Sequence, residues 1–215
     1  MNNLLLSIAR CGDVSNAMRD NKHPCHEIVS SQNDSPFQIP EPWNGNLQNA
    51  KILFISSNPS ISSLEIEEYP TESWADEEIQ EFFLNRFSIP YYRDKVRFWT
   101  FVKKYSSWVL DMDVNDKALA SNICITEVVH CKSRSERGVP ECCDYCADKW
   151  LNRILSEFNG HFVILLGAKA KRHEAQVRES GKLVLWMPHP VSGKWTDEKR
   201  KSVINEWKKT APTSK

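Results

Sequence analysis

The sequence has no apolar run approaching the ~20 residues needed to cross a bilayer. Its first residues, MNNLLLSIARCG, carry no basic leader and too short an apolar stretch for a secretory signal. These two absences predict a cytoplasmic protein with no membrane partner. No internal repeat or low-complexity linker divides the 215 residues. The expectation is therefore one domain over 1–215, with a helix and an extended segment in 1–46 packing on it. Net charge is also missing, since 28 Lys and Arg balance 28 Asp and Glu. That balance speaks against a uniformly basic nucleic-acid binder, but the charges are unevenly placed. Residues 1–130 hold 11 basic against 18 acidic residues, and residues 131–215 hold 17 against 10. A chain polarised in this way can offer phosphates a basic face while staying neutral overall.

What the sequence does have is cysteine. There are seven, an odd number that argues against a closed disulfide framework, and five fall within residues 124–146. Metal binding is the natural expectation.

Residues 3–11 read as a short helix and 12–46 as a polar, proline-marked segment that is extended around SPFQIPEPW. The run KILFI at 51–55 is too short for a buried helix and has the β-branched, aromatic character of a buried strand, and the loop Ser56–Ser60 follows it. Ser73 is placed to N-cap a helix over ESWADEEIQEFFLNRF, and residues 91–110 read as a second helix with an aromatic stripe. Then follow the strand NICITEVVHC, the loop KSRSERGVPE and the helix CCDYCADKWLNRILSEF. The strand HFVILLG, the helix AKAKRHEAQVRE, the strand and loop GKLVLWMPHPVSG and a helix from Thr196 to Lys208 close the chain. This alternation predicts the α/β class: a three-layer αβα sandwich around a central, mainly parallel four-stranded sheet.

In such a sheet the loops after the strands gather along one edge, where ligands bind. That places Asn58, Glu127 and His189 around one cleft. An Asn amide can orient a water, and an imidazole can donate a hydrogen bond to charge developing on a leaving group. Each also has a plain structural use, Asn58-Pro59 as a turn and His189 as a cap or core side chain.

Four stretches stand in register on this pattern: SSNPS after the first strand, ITEVVHCKS, VILLGAKA, and HPVS after the last strand. Over residues 50–210 they resemble the uracil-DNA glycosylase superfamily, whose motifs run Gly-x-Asn-Pro-Gly, Thr-Asn-Val-Val-Lys-Cys, Leu-Leu-Gly-x-x-Ala and His-Pro-Ser. The resemblance implies a base-excision glycosylase that flips a damaged base from the DNA stack and hydrolyses its N-glycosidic bond. By carry-over, Asn58 positions the water and His189 stabilises the anionic base. Glu127, Ser57 and Tyr69 contact the base, Tyr69 by stacking, and Pro190, Ser192 and Lys194 touch the DNA backbone. DNA is the implied partner of a monomeric protein. Serine replaces the usual glycines at Ser56 and Ser60, and Glu127 replaces an asparagine that reads uracil. An ionised glutamate would repel a carbonyl and suit a base with an amino group, a protonated one in a dry pocket would not, and a general-base role is a third use. A non-catalytic nucleic-acid or nucleotide-binding protein on the same fold is the alternative function. A cysteine-rich redox or metal protein is a third reading.

Cys131 and Cys146 are separated by 14 residues, as in the superfamily branch that carries a 4Fe-4S iron–sulfur cluster, and Cys11 and Cys25 by 13. Four thiolates from Cys11, Cys25, Cys131 and Cys146 suit such a cluster or a structural zinc, and otherwise are buried thiols. Cys142 and Cys143 are then spare, and His130 is a further candidate ligand.

Overall fold

The computed structural model describes residues 3–32, 37–61, 69–88, 97–113, 115–193 and 195–210. Among these, five segments form strands: β1 (Trp43–Asn44), β2 (Ile52–Ser56), β3 (Ile123–Glu127), β4 (Phe162–Leu166) and β5 (Leu183–Met187). Their order across the sheet is β1-β3-β2-β4-β5. The four longer strands pair in parallel, with Ile52 opposite both Ile123 and Phe162, and Phe162 opposite Leu183.

The sheet thus has five strands, not four. The additional strand, β1, is only two residues long and pairs antiparallel with β3, Trp43 opposite Thr126. It lies in the segment read as merely extended, since two residues carry no alternation to recognise. The Thr126 hydroxyl fastens it by donating to the Pro42 carbonyl at 2.7 Å.

Helices cover both faces because both faces of the strands are apolar. Leu53, Ile55, Cys124, Val163 and Leu165 point into one core. That core is shared with α1 (Asn3–Ala9), α2 (Asp13–Arg19), α3 (His26–Ser30), α4 (Asp76–Asn85) and α7 (Val139–Glu157). The alternate residues Ile52, Phe54, Ile123, Ile125 and Ile164 point into the other, against α5 (Arg97–Leu110), α6 (Asp116–Asn122) and α10 (Asp197–Thr210). A period of two splitting apolar residues between two cores is what a doubly covered parallel sheet requires.

Several helix boundaries differ from the sequence reading. Residues 12–32 contain α2 and α3, two short helices that a polar composition concealed. Helix α4 starts after Ala75 and not at Ser73. Glu78 reaches back to accept from the Ala75 N–H at 2.9 Å, while the Ser73 hydroxyl pairs with Thr71. The helix expected over 168–179 breaks into α8 (Gly167–Lys171) and α9 (Glu174–Glu179). Residues 33–36 of the extended segment and 91–96 of the aromatic helix lie outside the described residues.

Phe54, fully buried at the centre of β2, fills the second core. Phe54→Ala should lower the unfolding free energy by about 3–5 kcal/mol. Urea titration would show an earlier midpoint at unchanged slope, and a midpoint within error of the wild type would refute this packing.

Candidate active site

The first two motif loops are built as one unit. Past the end of β2, the backbone continues to pair with the chain leaving β3. Val128 N–H donates to the Ser56 carbonyl at 3.0 Å, and Val129 N–H to that of Ser57 at 2.9 Å. Ser133 N–H then reaches Pro59, and Ile61 N–H reaches Ser133, both at 3.1 Å. Within this zipper neither Ser56 nor Ser60 adopts a positive φ, so serine meets no backbone strain at either position.

Asn58 is oriented by its neighbours. Its Nδ2 donates to the Pro59 carbonyl at 2.9 Å and to the Ser133 hydroxyl at 2.8 Å. Its Oδ1 is thereby left as the acceptor, the atom that could hold a water proton. His189 leaves β5 just before a 3₁₀ turn over Pro190–Ser192, whose Ser192 N–H returns to the His189 carbonyl at 2.9 Å. Gly167 lies against it: a Cβ at Gly167 would stand 3.4 Å from the His189 Cβ, and Gly167 has φ +88°. That φ is open to glycine and strained for other residues.

A cavity of about 400 Å³ opens between these loops. Ser57, Asn58, Glu127 and His189 all line it, with Phe98, Glu136, Lys132 and Glu41 completing much of the wall. The size lies within the range of small-ligand sites.

Two of its carboxyls are buried yet differ in their surroundings. Burial would raise Glu41, but Arg86 at 3.4 Å, the charge of Lys132, Asn44 Nδ2 at 2.6 Å and the Tyr69 hydroxyl at 3.1 Å together hold it below the usual range. Glu127 has a hydrogen bond from Ser56 and little else. Burial, then the charges of Glu41 and Glu136, push it well above the ordinary carboxyl range. Its Oε2 has no hydrogen-bond partner. Environments that drive two carboxyls apart mark acid and base roles in active sites.

Glu136 joins the loops. Its carboxylate accepts from the Ser57 hydroxyl at 2.8 Å and pairs with Lys169. These two bonds outweigh burial and keep Glu136 below the usual range. Ser135 and Glu136 have φ of 53° and 59°, a strained backbone of the kind that gathers at functional sites. Burial holds the His189 imidazole below its ordinary value, partly opposed by Glu136.

Not every expected residue meets the cavity. Tyr69 is 1 % exposed and absent from the lining. Its hydroxyl is committed to Glu41, and the Lys132 ammonium sits 3.6 Å from its ring centroid. Of the two aromatics that line the cavity, Phe98 and Trp99, Phe98 stands beside His189, their ring centroids 5.9 Å apart. Pro190 is buried with its carbonyl taken by Arg200 at 3.1 Å, and Ser192 is exposed. Lys194 lies outside the described residues. Sequence reasoning passed over Glu136, Lys169 and Phe98. The last belongs to the aromatic stripe of α5, but nothing in a charged loop singled out Glu136.

The cysteines gather on the opposite side of the 128–133 loop. Cys11, Cys25, Cys131 and Cys146 line one small pocket, beside Asp13, His130 and Lys149. Burial raises the thiols of Cys11, Cys131 and Cys146, while a hydrogen bond from Cys142 lowers that of Cys25. Lys149 lies 3.7 Å from the Cys11 sulfur and 2.6 Å from Asp13. His130 is driven by burial to about 4, and its Nδ1 meets the Glu41 carbonyl at 2.7 Å. Of the spare thiols, Cys142 bonds the Gly138 carbonyl at 3.2 Å, and Cys143 lies 3.7 Å from His173 Nε2. Cys143, Asp144 and His173 form the compact metal-ligand group among the described residues, but Asp144 is paired with Arg172 at 2.8 Å.

A family model for the uracil DNA glycosylase superfamily matches residues 42–210. No curated protein gives a match.

The arrangement of Glu136 and His189 has a measurable sign. A histidine with a depressed value is neutral at physiological pH, and its contribution to stability is lost as pH falls below the ordinary histidine range. Glu136→Gln removes the one opposing charge, so His189 should titrate lower still. Imidazole chemical shifts followed against pH would read this directly, and an unchanged or higher value would contradict it.

Proposed function

The chain belongs to the uracil DNA glycosylase superfamily, and we propose that it is a DNA base-excision glycosylase hydrolysing the N-glycosidic bond of uracil or a related damaged base. The observation that carries this reading is the convergence of Asn58, Glu127 and His189, from three different strand ends, on one cavity.

The damaged nucleotide leaves the stack and enters the cavity, where Phe98 offers a face for stacking in place of the buried Tyr69. The C1′–N bond breaks with its electron pair going to the base, and the sugar gains oxocarbenium character. The neutral His189 imidazole donates to the anionic base without surrendering a proton. Water held by Asn58 Oδ1 bonds to C1′, and its released proton goes to the departing base or to solvent. Ser57 and Glu136 hold the floor of the site by their mutual bond. The exposed Ser192 hydroxyl and Lys194 are the candidate phosphate contacts, and the basic excess of residues 131–215 supplies the sequence-independent attraction.

The same reading gives the four cysteines a 4Fe-4S cluster. Their chemistry fits: four thiols from separate parts of the chain, three of them buried and Cys11 half-buried, line one pocket. No three of the four sulfurs belong to a group within 4.8 Å of one another. Tetrahedral zinc on the same four thiolates is the alternative. When bound it would tie the amino-terminal helices to the 128–133 loop.

Two measurements test these assignments. Base release from uracil- or hypoxanthine-containing oligonucleotides, scored as alkali-labile abasic sites, should fall by about 10²–10³ in both Asn58→Ala and His189→Ala. The far-UV circular dichroism should not change. Binding of DNA without release from any substrate would instead establish the non-catalytic alternative. Protein purified without oxygen should contain iron and sulfide and absorb broadly in the visible, and Cys131→Ala should lose both. A colourless, iron-free wild type containing zinc would replace the cluster with zinc, and one containing neither would leave plain thiols.

A further inference from the structure

His173 stands in the break between α8 and α9, where the sequence pattern runs on as one helix. Its N–H closes a turn on the Ala170 carbonyl at 3.1 Å, and the break turns its imidazole inward, buried against α7. There Nε2 lies 3.7 Å from the Cys143 sulfur and 3.8 Å from Asp144 Oδ1. All three donor atoms fall within 4.8 Å of one another. Cys143 is fully buried, and neither it nor His173 lines the four-thiol pocket. A single ring nitrogen makes one hydrogen bond, as donor or as acceptor, yet a thiol and a carboxylate both converge on this one. A cation at the centre would serve all three groups at once. The imidazole is also oriented from outside: the Gln176 side chain pairs with it, and Gln176 Nε2 in turn donates to Asn152 Oδ1 at 3.0 Å. Such an outer shell is what fixes a histidine that ligates a metal.

We propose that Cys143, Asp144 and His173 form a second metal site, for a zinc-class divalent cation, that clamps α7 to the joint between α8 and α9. Bonds of about 2.3 Å to sulfur and about 2.0–2.2 Å to nitrogen and oxygen reach all three atoms from one centre across gaps of this size. A thiolate beside an imidazole selects zinc over magnesium or calcium, which take oxygen ligands. Three protein ligands leave a fourth, tetrahedral position for water. Binding releases the Cys143 thiol proton to solvent, and the ion takes the sulfur lone pair in its place. Asp148, one turn along α7, adds a negative charge near the imidazole. Arg172 is the competitor, paired with Asp144 at 2.8 Å, but both side chains of that pair are more than half exposed. Solvent weakens such a pair, and a dication at the carboxylate displaces it. The joint also carries Lys169, which pairs with Glu136 at the cavity, so the clamp steadies that pair from behind. The site and the glycosylase activity stand or fall separately.

The test uses the full chain, kept reduced, with Zn²⁺ alone as the probe. Wild-type crystals soaked in Zn²⁺ should show an anomalous peak within bonding distance of Cys143 Sγ, Asp144 Oδ1 and His173 Nε2. That map needs no variant and tells this site from the four-thiol pocket by position. In solution, zinc affinity is read by competition with a chromophoric chelator, in a Cys131→Ala, Cys146→Ala background that breaks the four-thiol pocket. There His173→Ala should bind zinc about 10²-fold more weakly or worse, and Gln176→Ala, which keeps every ligand, about 10–100-fold more weakly. Arg172→Ala, which releases Asp144, should bind more tightly, a change that no loss of folding produces. No peak between Cys143 and His173, zinc affinity unchanged in His173→Ala, or weaker binding in Arg172→Ala would overturn the proposal.

Discussion

Everything at the cavity hangs on the parallel pairing of β2 with β3 continuing beyond the strands themselves. Strand pairing fixes register to the residue, and a slip of one would turn every side chain to the opposite face. Here the register sets Ser56 against Glu127, which gives the buried carboxyl its hydroxyl. Three residues past Ser56 the same ladder has become a loop-to-loop zipper, with Ser133 N–H on the Pro59 carbonyl. The Ser133 side chain is then where Asn58 Nδ2 needs it. The Asn58 amide and the Glu127 carboxyl, on separate segments, are thus held by one run of backbone hydrogen bonds.

A second constraint is electrostatic. The cavity wall buries Glu41, Glu127, Arg86 and Lys132 together, and burying four full charges would be costly. The structure resolves this by unequal sharing. Glu41 takes the cations and the neutral donors, so it remains an anion, while Glu127 is left to a single hydroxyl. Tyr69 belongs to this arrangement as a donor to Glu41 and a ring beneath Lys132. That is why Tyr69 is buried in the wall while Phe98, from the other side of the sheet, lines the cavity.

Much of this was legible in the sequence because it followed from short-range rules. The four long strands announced themselves as apolar runs, and their parallel order placed Asn58, Glu127 and His189 at one edge before any distance was known. The resemblance of the cysteine spacing to a cluster-bearing branch pointed to the four thiols that line one pocket. What escaped depends on long-range placement. Strand β1 is too short to carry a period and exists through Thr126. Glu136 sits in a loop whose charge pattern looks solvated, and gains its role from Ser57 and Lys169, 79 and 33 residues away. Helices α2 and α3 have few apolar residues, which acquire their meaning only against α7 and the sheet.

The stretch from Glu127 to Ser133 is where the two sites meet. Glu127, Lys132 and Ser133 line the cavity, and His130 and Cys131 line the thiol pocket behind it. His130 is also clamped to the first core segment, Glu41 N–H reaching its carbonyl at 2.8 Å and its Nδ1 meeting the Glu41 carbonyl. A segment pinned at Glu127 by the sheet and at His130 by Glu41 has little freedom left between them. Fixing Cys131 removes freedom from the remaining two residues, and one of those holds Asn58. A group held by the four thiols would therefore act on the cavity through Ser133. The thiol pocket and the cavity are two faces of the same seven residues, so disorder introduced at one would be felt at the other as a loosened amide.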